Sequence, residues 1–299
     1  MKSLVTGGAG FIGSNMVERL LEEGHEVVCV DNESASSNER FHWNSASENH
    51  KVDIRDAEGM RPLFRGVDYV FHMAAESRIM NTMENPVRAA ETNLVGTVSV
   101  LQCAREAGCR RVVYSSTSSV YGGNKAPNRE DMVPDCLNPY SASKYAGEMF
   151  CRNYSELFGL ETVTLRYFNV YGRRHPEKGQ YAPVMAIFAR QRRNGERLTV
   201  VGDGLQRRDF VNVLDVADAN FKAATKELPA GIFGTPFNIG TGENHSILDL
   251  ARSISEDITF VPSRPGEMSE TLADNDKAKT VLGWTPKVDI HEYIRDELV

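Results

Sequence analysis

Along the first half of the chain, short runs of apolar and β-branched residues alternate with longer stretches in which apolar positions recur every three or four residues. The short runs are "SLVT", "EVVCV", "HKVDI", "VDYVFHM", "RVVYSS" and "ETVTLRYF". Between them lie Phe11 to Glu23, Ala57 to Arg65, Asn85 to Ala107 and Pro139 to Phe158. The first set predicts strands buried on both faces and the second predicts amphipathic helices. Strand and helix alternating in this way build βαβ units, so the predicted class is α/β, a doubly wound parallel sheet covered by helices on both faces. "VDI" is taken to end the third strand at Asp53 and Ile54.

The rhythm changes after Phe168, where the elements become shorter and richer in Gly, Pro and Arg. One exception is "RDFVNVLDVADANFKAA", which reads as a further strand and helix returning to the main sheet. The expected organisation is therefore a dinucleotide-type domain of residues 1–168 plus 208–240, and a smaller α/β substrate domain of residues 169–207 plus 241–299. Ligands of open α/β sheets bind at the carboxyl ends of the strands, and a second domain over that edge makes a cleft. The serine-rich stretch 32–50 reads as a long loop.

Composition narrows the partners. The 299 residues carry 34 basic and 41 acidic side chains, a formal charge of −7, which argues against nucleic acid or an anionic membrane surface. Any anionic ligand has to be held by local donors. The five cysteines are odd in number and form no C-x-x-C pair, so they read as structural thiols of a reducing compartment. "MKSLVTGG" enters a strand at once, without a leader, and no apolar run approaches the roughly 18 residues of a membrane span. A cytoplasmic location is the expectation.

The first candidate chemistry lies in "TGGAGFIGS", which holds Gly8-x-Gly10-x-x-Gly13 and an additional Gly7 between a predicted strand and a predicted helix. Alone this spacing is a weak signal. Here the second strand ends in Asp31, 18 residues past Gly13, which is the context a dinucleotide site requires. A pyrophosphate must approach the backbone and accept the N–H bonds of a helix N-terminus, and a Cβ would obstruct it. Asp31 can accept from the adenosine ribose hydroxyls and would repel a 2′-phosphate, so NAD is favoured over NADP. Asp53 and Ile54 are placed to border the adenine.

The second lies in "NPYSASKYAGE", where Tyr140 and Lys144 stand four residues apart and so share a helix face. A phenol with a pKa of about 10 is a poor base. A nearby ammonium and a cationic nicotinamide both favour the phenolate, which makes Tyr140 a candidate base near neutral pH. The third is "VVYSSTSSVYG", with five consecutive hydroxyls from Ser115 to Ser119 after a buried strand.

Taken in order, "TGGAGFIG", "HMAAES", "NLVGT", "VVYSSTSSVYG", "PYSASKYAGE", "LRYFNVYGRR", "GDGLQRRDFVNVLDVA", "FNIGTG" and "RPGEMSETLADNDKAKTVLGWTP" resemble the extended short-chain dehydrogenase/reductase family of nucleotide-sugar epimerases and dehydratases. The resemblance covers essentially the whole chain and implies a Rossmann domain with tightly held NAD, a nucleotide-sugar domain and a homodimer. It implies a catalytic set of Thr117, Tyr140 and Lys144, with Ser116 and Ser118 as neighbouring nominees for the hydroxyl. The implied cofactor surface comprises Gly7, Gly10, Phe11, Ile12, Gly13, Asp31, Asn32, Asp53, Ile54, Met73, Ala74, Ala75, Asn93, Ser115, Tyr140, Lys144 and Tyr167. For the nucleotide sugar it implies Ser116, Thr117, Asn169 as a neutral donor, Arg208 and Arg264 as phosphate ligands, and Thr271 facing the substituent on sugar carbon 2. Arg207 reads as a solvated surface residue and His72 as a satisfied packing residue. No metal constellation is visible.

Two positions separate the family's reactions. In its dehydratases the catalytic Thr is followed by acids, whereas here Ser118 and Ser119 follow Thr117. Elimination would lack its proton carriers, and decarboxylating members lose support for the same reason. The resemblance is closest in pattern to the UDP-hexose 4-epimerases, including those that take N-acetyl sugars. The alternatives are a nucleotide-sugar dehydratase, an epimerase for another nucleotide, and a non-catalytic NAD-binding regulatory protein on the same fold.

Overall fold

Lys2–Thr6 forms the central strand β1 because Ser3, Leu4, Val5 and Thr6 are all buried, which only a strand covered on both faces allows. The computed structural model describes residues 1–36, 38–177, 182–263 and 269–299. After β1 come α1 (Phe11–Glu22), β2 (Glu26–Asp31), β3 (Glu48–Lys51), α2 (Ala57–Met60) and β4 (Tyr69–His72). Next are α3 (Ile79–Glu84), α4 (Pro86–Ala90), α5 (Gly96–Ala107), β5 (Arg111–Thr117), α6 (Pro139–Phe158) and β6 (Glu161–Tyr167). The remaining elements are β7 (Asn169–Tyr171), α7 (Val184–Arg193), β8 (Leu198–Val201), β9 (Arg207–Asn212), α8 (Val213–Thr225) and β10 (Pro236–Ile239). The chain closes with β11 (Asn244–Ser246), α9 (Ile247–Ile254), β12 (Ile258–Val261) and α10 (Ile290–Glu297).

Seven parallel strands in the order β10-β6-β5-β4-β1-β2-β3 make the main sheet. This is the Rossmann arrangement, with the order reversing between β1 and β4. Helices α1 and α8 pack together on one face, while α5 and α6 pack on each other on the opposite side. Residues of the later segments build a three-stranded sheet, β11-β9-β7, and a two-stranded one, β12-β8. Tyr171, Met185, Phe188, Leu198, Leu250 and Ile290 share their core.

Three expectations need correction. The strand at 207–212 does not return to the main sheet, because β9 lies between β7 and β11. It opens with Arg207 and Arg208, and Arg207 is exposed and held by Asn244. The place beside β6 goes to β10, where Phe237 and Ile239 are fully buried. The third strand ends at Lys51, so Asp53 and Ile54 lie beyond it in the following turn. The stretch 85–107 is interrupted by a π turn over Glu91–Val95 between α4 and α5.

Helix α6 starts where it does for a local reason. Asn138 accepts from the Ser141 N–H at 2.9 Å, Ser141 Oγ answers the Asn138 N–H at 3.3 Å, and Pro139 occupies the first helical position. Tyr140 is thereby fixed in the first turn. Farther along, Gly147 lets the helix cross β5 closely, since a Cβ there would lie 2.2 Å from Tyr114 Oη. Gly147→Ala is therefore expected to lower stability by about 1–3 kcal/mol through overpacking. Thermal unfolding against the parent chain checks this, and an unchanged midpoint would mean that Tyr114 moves aside freely.

Candidate active site

The loop after β1 is shaped to receive a diphosphate. Gly7 has φ +67°, and a Cβ on it would lie 2.8 Å from the Ala74 nitrogen, while one on Gly13 would lie 2.0 Å from the Gly7 carbonyl oxygen. Only hydrogen fits at either place. Gly10 caps α1 without any side-chain hydrogen bond, so the first-turn N–H groups keep their capacity for a ligand anion. Beyond this loop a cavity of about 280 Å³ runs along the carboxyl ends of the strands.

Most of the predicted cofactor residues line it. Gly7, Gly10, Phe11, Ile12 and Gly13 form one side, Asp31, Asn32 and Ile54 close one end, and Met73, Ala74 and Ala75 lie between. Ser115, Ser116, Tyr140, Lys144 and Tyr167 complete the wall. The Asp31 carboxylate accepts the Ala9 N–H at 3.1 Å and the Glu33 N–H at 2.8 Å, which orients it. Burial pushes its pKa up, and these N–H bonds act against the shift. The donor set and the close-approach glycines fit NAD.

Two predicted residues are not on this wall. Asp53 is engaged by Arg55 and by Asn32 Nδ2 at 2.9 Å, and Arg55 holds its pKa down at about 2. Asn93, buried in the π turn, accepts from the Glu76 N–H at 2.8 Å and donates to Glu76 O and Ser143 Oγ at 3.0 Å. It tethers the loop after β4 to α6.

The run of hydroxyls divides by partner. Ser115 Oγ meets Tyr167 Oη at 2.8 Å, and Ser116 Oγ donates to Glu148. Thr117 does not line the cavity; its hydroxyl donates to Ser119 Oγ and accepts the Ser119 N–H, both at 3.1 Å. Burial holds the Tyr140 phenol above its ordinary pKa, with Thr117 and the Arg78 guanidinium acting against it. Lys144 Nζ sits 4.2 Å from the centre of the Tyr114 ring, and burial pulls its pKa down to about 7, opposed by Cys151 and Glu148. In the protein alone, then, the cation that favours the phenolate is Arg78.

A second cavity of about 660 Å³ adjoins the first and shares Val170, His175 and Pro183 with it. Asn169 and Arg208 line it. Asn169 is not the neutral donor expected from the sequence. Its amide nitrogen already donates to Asp209 O at 2.9 Å and to Thr271 Oγ1 at 3.3 Å, so it has only its carbonyl oxygen, an acceptor, to offer a ligand. Thr271 is buried behind Asn169 and is not a wall residue of either cavity. Arg264 lies outside the described residues. Arg207 is exposed and pinned to Asn244 at 2.7 Å. His72 is the packing residue expected, bonded to Thr6 Oγ1 at 2.7 Å and Thr97 Oγ1 at 2.9 Å, with burial pushing its pKa down to about 3.

The sequence reading passed over Arg78, His175 and Glu148. Arg78 directly follows "HMAAES" at the carboxyl end of β4, a position from which its cationic side chain reaches the ligand edge. His175 stacks on Phe11 with ring centres 4.5 Å apart, and burial pushes its pKa down to about 3. Glu148 falls one helical turn past Lys144, a spacing visible in "KYAGE".

Comparisons with known proteins agree with this geometry. Residues 3–240 match the profile of the NAD dependent epimerase/dehydratase family. The UDP-glucose 4-epimerase of Mycolicibacterium smegmatis is 39% identical over 307 residues, covering 98% of this chain and 96% of that protein. A crystal structure of UDP-glucose 4-epimerase from Thermotoga maritima with UDP-glucose superposes with a TM-score of 0.92 at 36% identity, covering 100% and 97% of the two chains. The UDP-N-acetylglucosamine 4-epimerase from Methanobrevibacter ruminantium, in complex with UDP-N-acetylmuramic acid, also gives 0.92, at 30% identity over 99% and 96%.

Proposed function

We propose that this chain, which belongs to the NAD-dependent epimerase/dehydratase family, interconverts UDP-hexoses that differ in configuration at carbon 4. It is an isomerase with NAD as its cofactor. One observation carries the choice of reaction. Among the described residues Asp31, at the nucleotide end, is the one carboxylate on the wall of either cavity. Water elimination and decarboxylation at the sugar would need an acid or base beside Thr117, where Ser118 and Ser119 stand instead.

The glycine loop and Asp31 would hold NAD, which when bound supplies a reversible hydride acceptor, so that the sugar passes through its 4-keto form and no external oxidant is needed. Tyr140 takes the proton of the carbon-4 hydroxyl and returns it. Thr117 and Arg78 favour its anion, and Lys144, one turn along α6, lines the same wall. In the second cavity Arg208 is the phosphate ligand. Asn169, fixed by Thr271, offers its carbonyl oxygen to a hydroxyl or N–H of the substrate.

N-acetyl hexoses belong among the proposed substrates, supported by the Methanobrevibacter relative rather than by Thr271, whose buried place gives it no direct part in pocket size. The reading further includes a homodimer through α5 and α6. The latter leaves Met149, Phe150, Leu157 and Phe158 exposed, Leu157 by 72%. Leu157→Glu is expected to give a monomer in sedimentation, and an unchanged dimer would move the interface elsewhere. A cytoplasmic location is supported by five free cysteines, four of them buried. No helix among the described residues is long and apolar enough to cross a membrane. Incubation with UDP-, GDP- and dTDP-sugars, followed by product separation, tests the proposal. Turnover confined to UDP-hexoses supports it, and a preference for another nucleotide contradicts it.

A further inference from the structure

Behind the wall of the first cavity lies a buried charge cluster that neither the cofactor site nor the Thr117, Tyr140 and Lys144 set requires. Arg166 on β6 grips the Glu148 carboxylate with a fork, Nε to Oε1 at 3.0 Å and Nη2 to Oε2 at 2.7 Å. Both side chains are almost wholly enclosed, 3% and 7% exposed. Arg166 Nη1 also donates to Tyr121 Oη at 3.0 Å, and Tyr121 donates to Asn238 Oδ1 at 2.6 Å. A buried ion pair of this kind is often no more than a structural link, and its removal is often neutral when both partners become apolar. This one has an additional member. Ser116, itself on the cavity wall, donates its proton to Glu148 Oε1.

The chemistry of that bond has a consequence for the cavity. A serine hydroxyl has one proton and two lone pairs, and an ionised carboxylate only accepts. With its proton on Glu148, Ser116 presents lone pairs alone to the site. An acceptor there is useless to a phosphate, which also only accepts, but it suits the hydroxyl of a sugar. The neighbours place it at the reacting end, since Tyr140 and Lys144 line the same wall and Ser115 holds Tyr167 there.

We propose that Glu148 is a positioning residue for the reaction: clamped by Arg166, it keeps Ser116 turned as a hydrogen-bond acceptor for a hydroxyl of the sugar. The inference rests on the proposed UDP-hexose reading. Glu148 touches neither sugar nor cofactor and acts through Ser116. Both carboxylate oxygens face Arg166: Oε2 accepts from Nη2 at 2.7 Å and Nε at 3.3 Å, while Oε1 accepts from Nε at 3.0 Å and from Ser116. In Glu148→Gln the carbonyl keeps the Oε2 place, where two arginine donors converge, so the NH₂ takes the Oε1 place, loses the Nε bond and donates to Ser116, reversing its polarity.

The test compares Glu148→Gln, Ser116→Ala and the double variant with the parent holoenzyme, after the parent has been shown to epimerise a UDP-hexose. Failure of the parent would remove the reaction itself, and the variants then say nothing against it separately. Each single variant is expected to lose about tenfold in kcat, the order of one hydrogen bond, with KM within about twofold and bound NAD at the parent level. The double variant is expected to be no slower than the slower single one, because the two residues act as one unit. Multiplied losses in the double variant, or parent kcat in Glu148→Gln, would overturn the proposal. Where Glu148→Gln does not fold, Glu148→Leu with Arg166→Leu removes both charges together. That pair is expected to bind NAD and still lose about tenfold in kcat, and parent kcat in it would equally overturn the proposal.

Discussion

Tyr140→Phe is expected to reduce turnover by about 10² to 10⁴, the usual loss when a general base is removed, while NAD stays bound at the parent stoichiometry. Tyr140 is half-buried and lines the cavity wall, so the substitution deletes one oxygen and leaves the ring packed where it was. Steady-state rates with UDP-glucose, together with absorbance of released cofactor, provide the check. A variant within about tenfold of the parent rate would take Tyr140 out of the proton transfer. A variant that lost NAD as well would show the ring to be part of the cofactor cradle rather than the base alone.

Gly13→Ala is expected to abolish stable cofactor binding. The added carbon would lie 2.0 Å from the Gly7 carbonyl oxygen and 2.8 Å from the Gly8 Cα, both backbone atoms that no rotamer change can move aside. The loop or the first turn of α1 has to shift, at a cost of about 1–3 kcal/mol or more, which corresponds to roughly one to two powers of ten in NAD affinity. The loss should show as apoprotein after purification, with activity recovered only at high added NAD. Parent levels of copurified NAD would mean that the loop is not the diphosphate cradle.

These two sites were the most legible in the sequence, for a physical reason. A glycine spacing and a pair four residues apart on one helix express local geometry, which strand, turn and helix settle among themselves. Asp31 was readable for the same reason, as the last residue of a buried strand. What escaped depends on which segments meet. Phe237 and Ile239 take the sheet edge that "RDFV" was expected to hold, a long-range pairing with β6 that local spacing does not express. Asn169 could be counted as a donor until Asp209 and Thr271 were seen to occupy both its protons. Arg78 and Glu148 are ordinary charges in the sequence and gain meaning only where α6, β5 and the loop after β4 converge.

The central claim is that the enzyme inverts one sugar carbon without net oxidation, and the most direct test approaches the product mixture from both sides. The purified holoenzyme is incubated separately with UDP-glucose and with UDP-galactose, without added nucleotide cofactor, and the sugars are separated over time. The account predicts that both reactions converge on one ratio of the two epimers and that bound NAD persists through many turnovers. Accumulation of a 4-keto-6-deoxy sugar, or a reaction that stops after one equivalent of NAD has been consumed, would contradict it.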